Sequence, residues 1–184
     1  MRQAKQQGYR SRAAFKLLQI DAREKILKPG QTVVDLGAAP GGWSQVAAAK
    51  VKPGGRVIAI DLLTIVPISG VILLKGDFRS DGLLRAMEGA RADVVLSDLA
   101  PNLSGIGNVD QARALELAGA AIDFCCKALK ADGVFLAKAF HGQAFDAVLT
   151  RLKSSFRKVK VVKPLASRGE SAETYLVARG VSAL

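Results

Sequence analysis

The chain has 184 residues, of which 49% are hydrophobic, so it can bury one sizeable core, and we expect residues 1–184 to form a single domain. No apolar span long enough to cross a membrane and no secretory leader is visible, so we expect a cytoplasmic protein with no membrane partner. The two adjacent cysteines, Cys125 and Cys126, and the single histidine, His141, argue against a disulfide, a metal site and histidine-based catalysis.

The net charge of +11 is concentrated in two segments. Residues 1–30 contain eight basic residues against Asp21 and Glu24, and residues 151–170 contain seven against Glu170, so each segment has a net charge of +6. If the fold brings these segments together, they form one basic face that favours phosphate backbones through counterion release. The alternative is a solubilising surface of ordinary lysines and arginines.

Helices and strands alternate along the chain. The predicted helices cover residues 11–26, 43–50, 81–89, 110–129 and 145–152, and the predicted strands cover residues 32–34, 56–60, 71–75, 93–96, 134–138, 158–162 and 174–178. This order predicts an α/β fold with a doubly wound, mostly parallel sheet of seven strands and helices on both faces. The loop between the last two strands is too short for a crossover helix, so we expect the last strand to be antiparallel.

A glycine-rich turn, VVDLGAAPGGW, follows the first strand. Gly37, Gly41 and Gly42 allow the backbone to approach a ligand closely at the carboxyl end of a parallel strand, where open α/β sheets bind their ligands. The dinucleotide spacing G-x-G-x-x-G is absent, so a pyrophosphate is poorly supported. S-adenosylmethionine, which has no phosphate, fits better. A turn that needs glycine only for its own geometry is the alternative.

Acidic residues stand at or near the ends of three successive strands. Asp61 is placed to accept hydrogen bonds from the ribose hydroxyls of a nucleoside, and Asp77 from an adenine amino group. Asp98 is placed to hold the amino end of a methionine moiety, and Trp43 to wall the pocket. For each acid alone, a helix cap or a turn residue is the slightly better explanation. Their recurrence at successive strand ends favours a binding site.

Two lysines lie in apolar surroundings. Lys138 ends the strand GVFLAK, and Lys16 lies within the apolar segment AAFKLL. An unpaired ammonium is costly in such places unless it faces a cleft or a carboxylate, and Glu173 opens the last strand. The alternative for each lysine is a side chain that extends to solvent.

The chain resembles a known family in the motifs SRAAFKL, VVDLGAAPGGWSQ, DLL, GDF, SDLAPN, AKAF and SAETYLVA. They are similar to the motifs of the FtsJ/RrmJ family of S-adenosylmethionine-dependent ribose 2′-O-methyltransferases, and the similarity runs from Gly8 to about Gly180. The resemblance is strongest to the bacterial branch, which methylates a uridine in large-subunit (23S) ribosomal RNA. It implies a single Rossmann-like methyltransferase domain with an antiparallel last strand, and an enzyme that works on ribosomal RNA or the assembled large subunit.

The resemblance also implies the site residues. The family's catalytic set falls on Lys16, Asp98, Lys138 and Glu173. Its cofactor-binding set falls on Gly41, Trp43, Asp61, Asp77 and Asp98. The resemblance implies no metal ion. We expect the protein to be a monomer whose two basic segments contact RNA.

Two positions of the family pattern differ here. The loop His141-Gly142-Gln143-Ala144 replaces a Gln-Gly-Glu-Gly type of sequence, and the stretch before Gly8 is shorter than in relatives.

The reaction predicted from this resemblance is an in-line displacement in which the ribose 2′-oxygen attacks the sulfonium methyl group. Lys138 is the candidate base, and its alternative role is to stay charged and orient the hydroxyl. Transfer RNA is an alternative acceptor, and an RNA-binding ribosome assembly factor without activity is an alternative function. A messenger cap and a small-molecule acceptor are less well supported, because aromatic residues are only 5% of the chain and two basic segments are present.

Overall fold

The computed structural model of the protein describes residues 6–100, 107–165 and 173–182. In these ranges the helices are α1 (Ala13–Glu24), α2 (Gly42–Lys50), α3 (Asp81–Ala86), α4 (Gly107–Ala128) and α5 (Gln143–Ser155). The strands are β1 (Thr32–Leu36), β2 (Arg56–Asp61), β3 (Val71–Lys75), β4 (Ala92–Ser97), β5 (Leu129–Phe140), β6 (Phe156–Val162) and β7 (Glu173–Val181). The predicted alternation of helices and strands is confirmed. Strand β5 begins at Leu129 rather than at residue 134, because residues 130–132 are exposed and interrupt the apolar pattern used to predict the strand.

The strands form one sheet in the order β3-β2-β1-β4-β5-β7-β6. β1 pairs in parallel with β2 and β4, and β4 pairs in parallel with β5. β7 is antiparallel to both β5 and β6, which confirms the predicted mixed sheet with an antiparallel last strand. The reversal places Glu173, the first residue of β7, opposite Phe140, the last residue of β5.

The apolar core lies on both faces of the sheet. Val34 and Leu36 of β1 belong to a cluster with α4 and α5, whereas Val33 belongs to a second cluster with α1 and α2. A central parallel strand that is covered on both faces is mostly apolar, and Val33, Val34 and Leu36 of β1 follow this rule, whereas Asp35 is a buried acid. No helix in the described part of the chain is both long and apolar enough to cross a membrane.

Helix α1 is fastened to the rest of the fold at both ends. Near its start, the indole N–H of Trp43 donates to the carbonyl oxygen of Ala13 at 2.9 Å. At its end, the Asp21 carboxylate accepts the backbone N–H groups of Ile26 and Leu27 at 3.0 and 2.8 Å. The helix ends at Glu24, slightly earlier than predicted.

Candidate active site

A cleft of about 610 Å³ opens at the carboxyl ends of the parallel strands. Its walls include the glycine turn after β1, the end of β2, the segment after β3 and the end of β4. Gly37, Asp61, Asp77 and Asp98 all line it. Three of the predicted cofactor residues therefore lie around one cleft, as expected for strand ends that meet at the same edge of a sheet.

The glycine turn has backbone geometry that only glycine adopts at low cost. Gly37 has φ +69° and Gly41 has φ +105°. A Cβ atom on Gly37 would lie 2.4 Å from Cδ2 of Leu99, and one on Gly41 would lie 2.5 Å from Cδ1 of Ile68. Helix α2 begins directly after this turn, and the N–H groups of its first turn have no acceptor inside the helix.

Asp61 ties together the loops on both sides of the cleft. Its Oδ2 accepts the N–H of Ala39 at 2.9 Å, and its Oδ1 accepts the N–H of Leu63 at 2.7 Å. A carboxylate oxygen can accept more than one hydrogen bond. Asp61 can therefore hold the loops and still bind a hydroxyl group.

Asp77 is held by an arginine that the sequence reasoning did not identify. Nε of Arg79 lies 3.0 and 2.9 Å from the two Asp77 oxygens, and Nη2 lies 2.6 Å from Oδ2. The hydrogen bonds from Arg79 lower the pKa of Asp77 below its ordinary value. Arg79 also lines the cleft. The only sign of this contact in the sequence is that Arg79 follows Asp77 by two positions, in GDFR.

The Trp43 side chain lies in the core rather than along the cleft. It is 2% exposed, and its ring centroid is 5.9 Å from that of Tyr175. The backbone N–H of Trp43 belongs to the first turn of α2, where N–H groups have no acceptor within the helix.

The four predicted catalytic side chains form two ion pairs. Nζ of Lys138 lies 2.9 Å from Oδ1 of Asp98 and donates to the Asp98 carbonyl oxygen, also at 2.9 Å. Nζ of Lys16 lies 2.7 and 2.6 Å from the two carboxylate oxygens of Glu173. The hydroxyl of Tyr175 donates to Glu173 as well. These side chains are mostly shielded from solvent, with Lys16 9% and Lys138 12% exposed.

Burial and charge act differently on the two acids of these pairs. Burial raises the pKa of Asp98 above its ordinary value, although Lys138 opposes this shift. Burial also raises the pKa of Glu173, but the hydrogen bonds from Lys16 and Tyr175 outweigh it, so the net pKa is lowered. Burial, together with the nearby Asp98 and Glu173, raises the pKa of Tyr175. Glu173 is therefore the more firmly ionised of the two acids.

A fully buried acid, Asp35, lies on β1 beneath the cleft. Its Oδ2 accepts the Ser44 hydroxyl at 2.6 Å, and no donor among the described residues reaches its Oδ1. Burial raises its pKa to about 7, with smaller contributions from Asp98 and Asp61. Its position at the strand end was evident in the sequence, but its pairing with Ser44 was not.

Comparison with known proteins agrees with this geometry. The sequence matches the FtsJ-like methyltransferase family over residues 9–181. The chain belongs to this family. It is therefore a methyltransferase, and the family resemblance inferred from its motifs is confirmed.

Two curated relatives within the FtsJ-like family match most of the chain. Both are named Ribosomal RNA large subunit methyltransferase E. The protein from Marinobacter nauticus is 50% identical over 184 residues, which are 98% of this chain and 89% of the relative. The protein from Chromohalobacter salexigens is 52% identical over 179 residues, which are 95% of this chain and 85% of the relative.

Solved structures confirm the predicted fold class. A Plasmodium falciparum structure, assigned as a ribosomal RNA methyltransferase, has a TM-score of 0.83 and 28% identity, and covers 94% of this chain and 98% of that chain. Fibrillarin from Aeropyrum pernix, solved with bound S-adenosyl-L-methionine, has a TM-score of 0.65 and 15% identity, and covers 92% of this chain and 75% of that chain. The similarity to fibrillarin shows the fold alone.

Proposed function

We propose that this protein transfers the methyl group of S-adenosylmethionine to the ribose 2′-hydroxyl of a uridine in large-subunit ribosomal RNA, on the assembled subunit. The pairing of Lys138 with Asp98 beside the cleft is the observation that supports this reaction best, because it puts a lysine nitrogen at the point where a hydroxyl must be oriented. The names of the relatives support ribosomal RNA as the acceptor.

The cleft suits S-adenosylmethionine in shape and in chemistry. Asp61 is assigned to the ribose hydroxyls, Asp77 to the adenine amino group and Asp98 to the methionine amino group. Each of these cofactor groups donates hydrogen bonds, and a carboxylate accepts them. Gly41 keeps the glycine turn in its positive-φ geometry, and the N–H of Trp43 at the start of α2 is assigned to the methionine carboxylate. Arg79 keeps Asp77 ionised and in position.

The side chains of the two ion pairs are assigned to the acceptor. S-adenosylmethionine supplies an electrophilic methyl group, and its transfer breaks a carbon–sulfur bond and requires the ribose hydroxyl to lose its proton. Lys138 uses two of its N–H groups on Asp98, so one position on its nitrogen is left for the 2′-oxygen. As an ammonium, it orients that oxygen, and as a neutral amine, it takes the proton. Lys16 and Glu173 are assigned to the same acceptor site, since the charge of Lys138 also acts on Glu173.

We assign RNA binding to the two basic segments. They meet where Nζ of Lys160 on β6 lies 2.5 Å from Oε1 of Glu24 at the end of α1. Arg23, Lys25 and Lys158 are exposed nearby in sequence. A continuous basic surface binds phosphates without reading sequence, so recognition of one nucleotide requires further contacts.

Methyl transfer to isolated substrates tests the proposal. Labelled S-adenosylmethionine is supplied with large subunits from a strain that lacks its own enzyme, with naked ribosomal RNA and with transfer RNA. We expect label in subunit RNA, at a ribose 2′-oxygen, with wild type and none with Lys138→Ala. Label in transfer RNA alone would change the acceptor, and cofactor binding without label on any RNA would support the assembly-factor alternative.

A further inference from the structure

A second cavity, of about 320 Å³, adjoins the cleft on the far side of Lys138. It lies between the end of β5 and the helices α4 and α5, and most of its wall is apolar. Leu99, Ala100 and Leu117 line both the cavity and the cleft. The Lys138–Asp98 pair lies at the junction, because Lys138 lines the cavity and Asp98 lines the cleft.

An exposed aromatic residue stands at the mouth of this cavity. Phe140, the last residue of β5, is 43% exposed, and its ring centroid is 5.7 Å from Nζ of Lys138. The two residues are two positions apart on one strand, so both side chains point to the same face of the sheet. Burial would favour this large apolar ring, so its exposure beside the site is costly unless a ligand covers it.

The cavity also offers polar and aromatic groups beyond Phe140. The His141 and Phe145 rings, both in its lining, pack with their centroids 4.7 Å apart. Oε1 of Gln111 accepts the N–H of Ala144 at 2.8 Å, which fixes the side chain at the cavity wall. The two N–H groups of the Gln111 amide can donate hydrogen bonds to a carbonyl oxygen of a base.

We propose that this cavity receives the pyrimidine base of the acceptor nucleotide, turned out of the RNA, with Phe140 as the surface on which the base stacks. The inference rests on the proposed function. The base and the 2′-oxygen are attached to adjacent carbons of the ribose, so a 2′-oxygen held at Lys138 brings its base within reach of Phe140. Single-stranded RNA bases are commonly bound in this way, on aromatic side chains and with hydrogen bonds to their edges.

Variants at Phe140 test the stacking role. Phe140→Leu keeps an apolar side chain without a ring, Phe140→Trp keeps a ring, and Val161→Ala changes a residue of similar exposure, 45%, on β6. Stacking on one aromatic side chain typically changes affinity by about 10- to 100-fold. We expect Phe140→Leu to lower kcat/KM for large subunits by about that factor, and Phe140→Trp and Val161→Ala to stay within about threefold of wild type.

Two further measurements separate a loss of stacking from a loss of cofactor binding or of stability. The dissociation constant for S-adenosylmethionine and the thermal midpoint should stay unchanged in Phe140→Leu, because Phe140 does not line the cleft. A kcat/KM equal to wild type in Phe140→Leu, or a loss that Phe140→Trp shares in full, would overturn the cavity assignment. A wild-type enzyme that leaves subunit RNA unmethylated would instead contradict the proposed function.

Discussion

Lys16 and Glu173 are 157 positions apart in the sequence, yet the Lys16 ammonium contacts both oxygens of the Glu173 carboxylate at 2.7 and 2.6 Å. The pair joins α1 to the start of β7, the strand whose antiparallel direction brings Glu173 back to the active-site edge. Because both side chains are largely shielded from solvent, neither charge is well compensated by water if the other is lost.

The first prediction is that the Lys16–Glu173 pair contributes to stability as a unit. Lys16→Met or Glu173→Gln should each lower the free energy of unfolding by about 2 kcal/mol, since each leaves a buried charge without its partner. The double variant should lose clearly less than the two single losses together. Denaturant unfolding of the four proteins measures this coupling, and strictly additive losses would mean that the pair has no energetic role.

The second prediction concerns Lys138. Lys138→Ala should reduce methyl transfer at least about 100-fold, because it removes the group that orients or deprotonates the hydroxyl. Binding of S-adenosylmethionine, measured by calorimetry, should change little.

A control for Lys138 lies on the same strand, β5. Lys130 of β5 pairs with Asp93 of β4 at 2.5 Å, away from the cleft, just as Lys138 pairs with Asp98. Lys130→Ala should keep its methyl-transfer activity. An equal loss in both variants would point to a general effect of breaking an ion pair of β5.

The fold was accessible from the sequence because its signals are local. The buried strand β1 is marked by the apolar residues Val33, Val34 and Leu36, and the short loop before β7 allows only an antiparallel return. The two lysines were evident as charges in apolar segments, but their partners are far away in the chain. The family resemblance, rather than any local pattern, predicted that Lys16 and Glu173 share a site.

Other features depend on side-chain packing that sequence patterns do not encode. Trp43 follows the glycine turn, and that position suggested a pocket wall, but its indole packs under α1 and bonds Ala13. The bidentate contact from Arg79 to Asp77 and the hydrogen bond from Ser44 to Asp35 depend on rotamers and on helix orientation. Apolar periodicity carries no information about either contact.

The third prediction concerns the cofactor. Asp61→Asn should weaken S-adenosylmethionine binding by about tenfold or more, because one carboxylate oxygen is replaced by a donor while the Ala39 and Leu63 N–H groups still need acceptors. Asp123→Asn, which changes an exposed acid paired with Arg151, is the control and should bind normally. Equal affinities for wild type and Asp61→Asn would remove Asp61 from the cofactor site.

The fourth prediction is a pH dependence of stability that originates at Asp35. Its pKa of about 7 in the folded state lies well above the ordinary value of 3.8, because burial disfavours the charged carboxylate. The folded protein therefore keeps a proton that the unfolded chain releases near pH 4. The stability that this proton provides is complete below pH 4 and is lost as the pH rises through about 7, by up to about 4 kcal/mol.

Asp35→Asn should remove this dependence. The amide cannot ionise, and its oxygen can still accept the Ser44 hydroxyl, so the free energy of unfolding should vary much less between pH 5 and 8 than in wild type. The buried N–H groups of the amide need acceptors, so the variant should be less stable than wild type at pH 5, while the difference narrows or reverses at pH 8. Urea unfolding across this range measures both curves. Parallel curves would assign the pH dependence to groups other than Asp35.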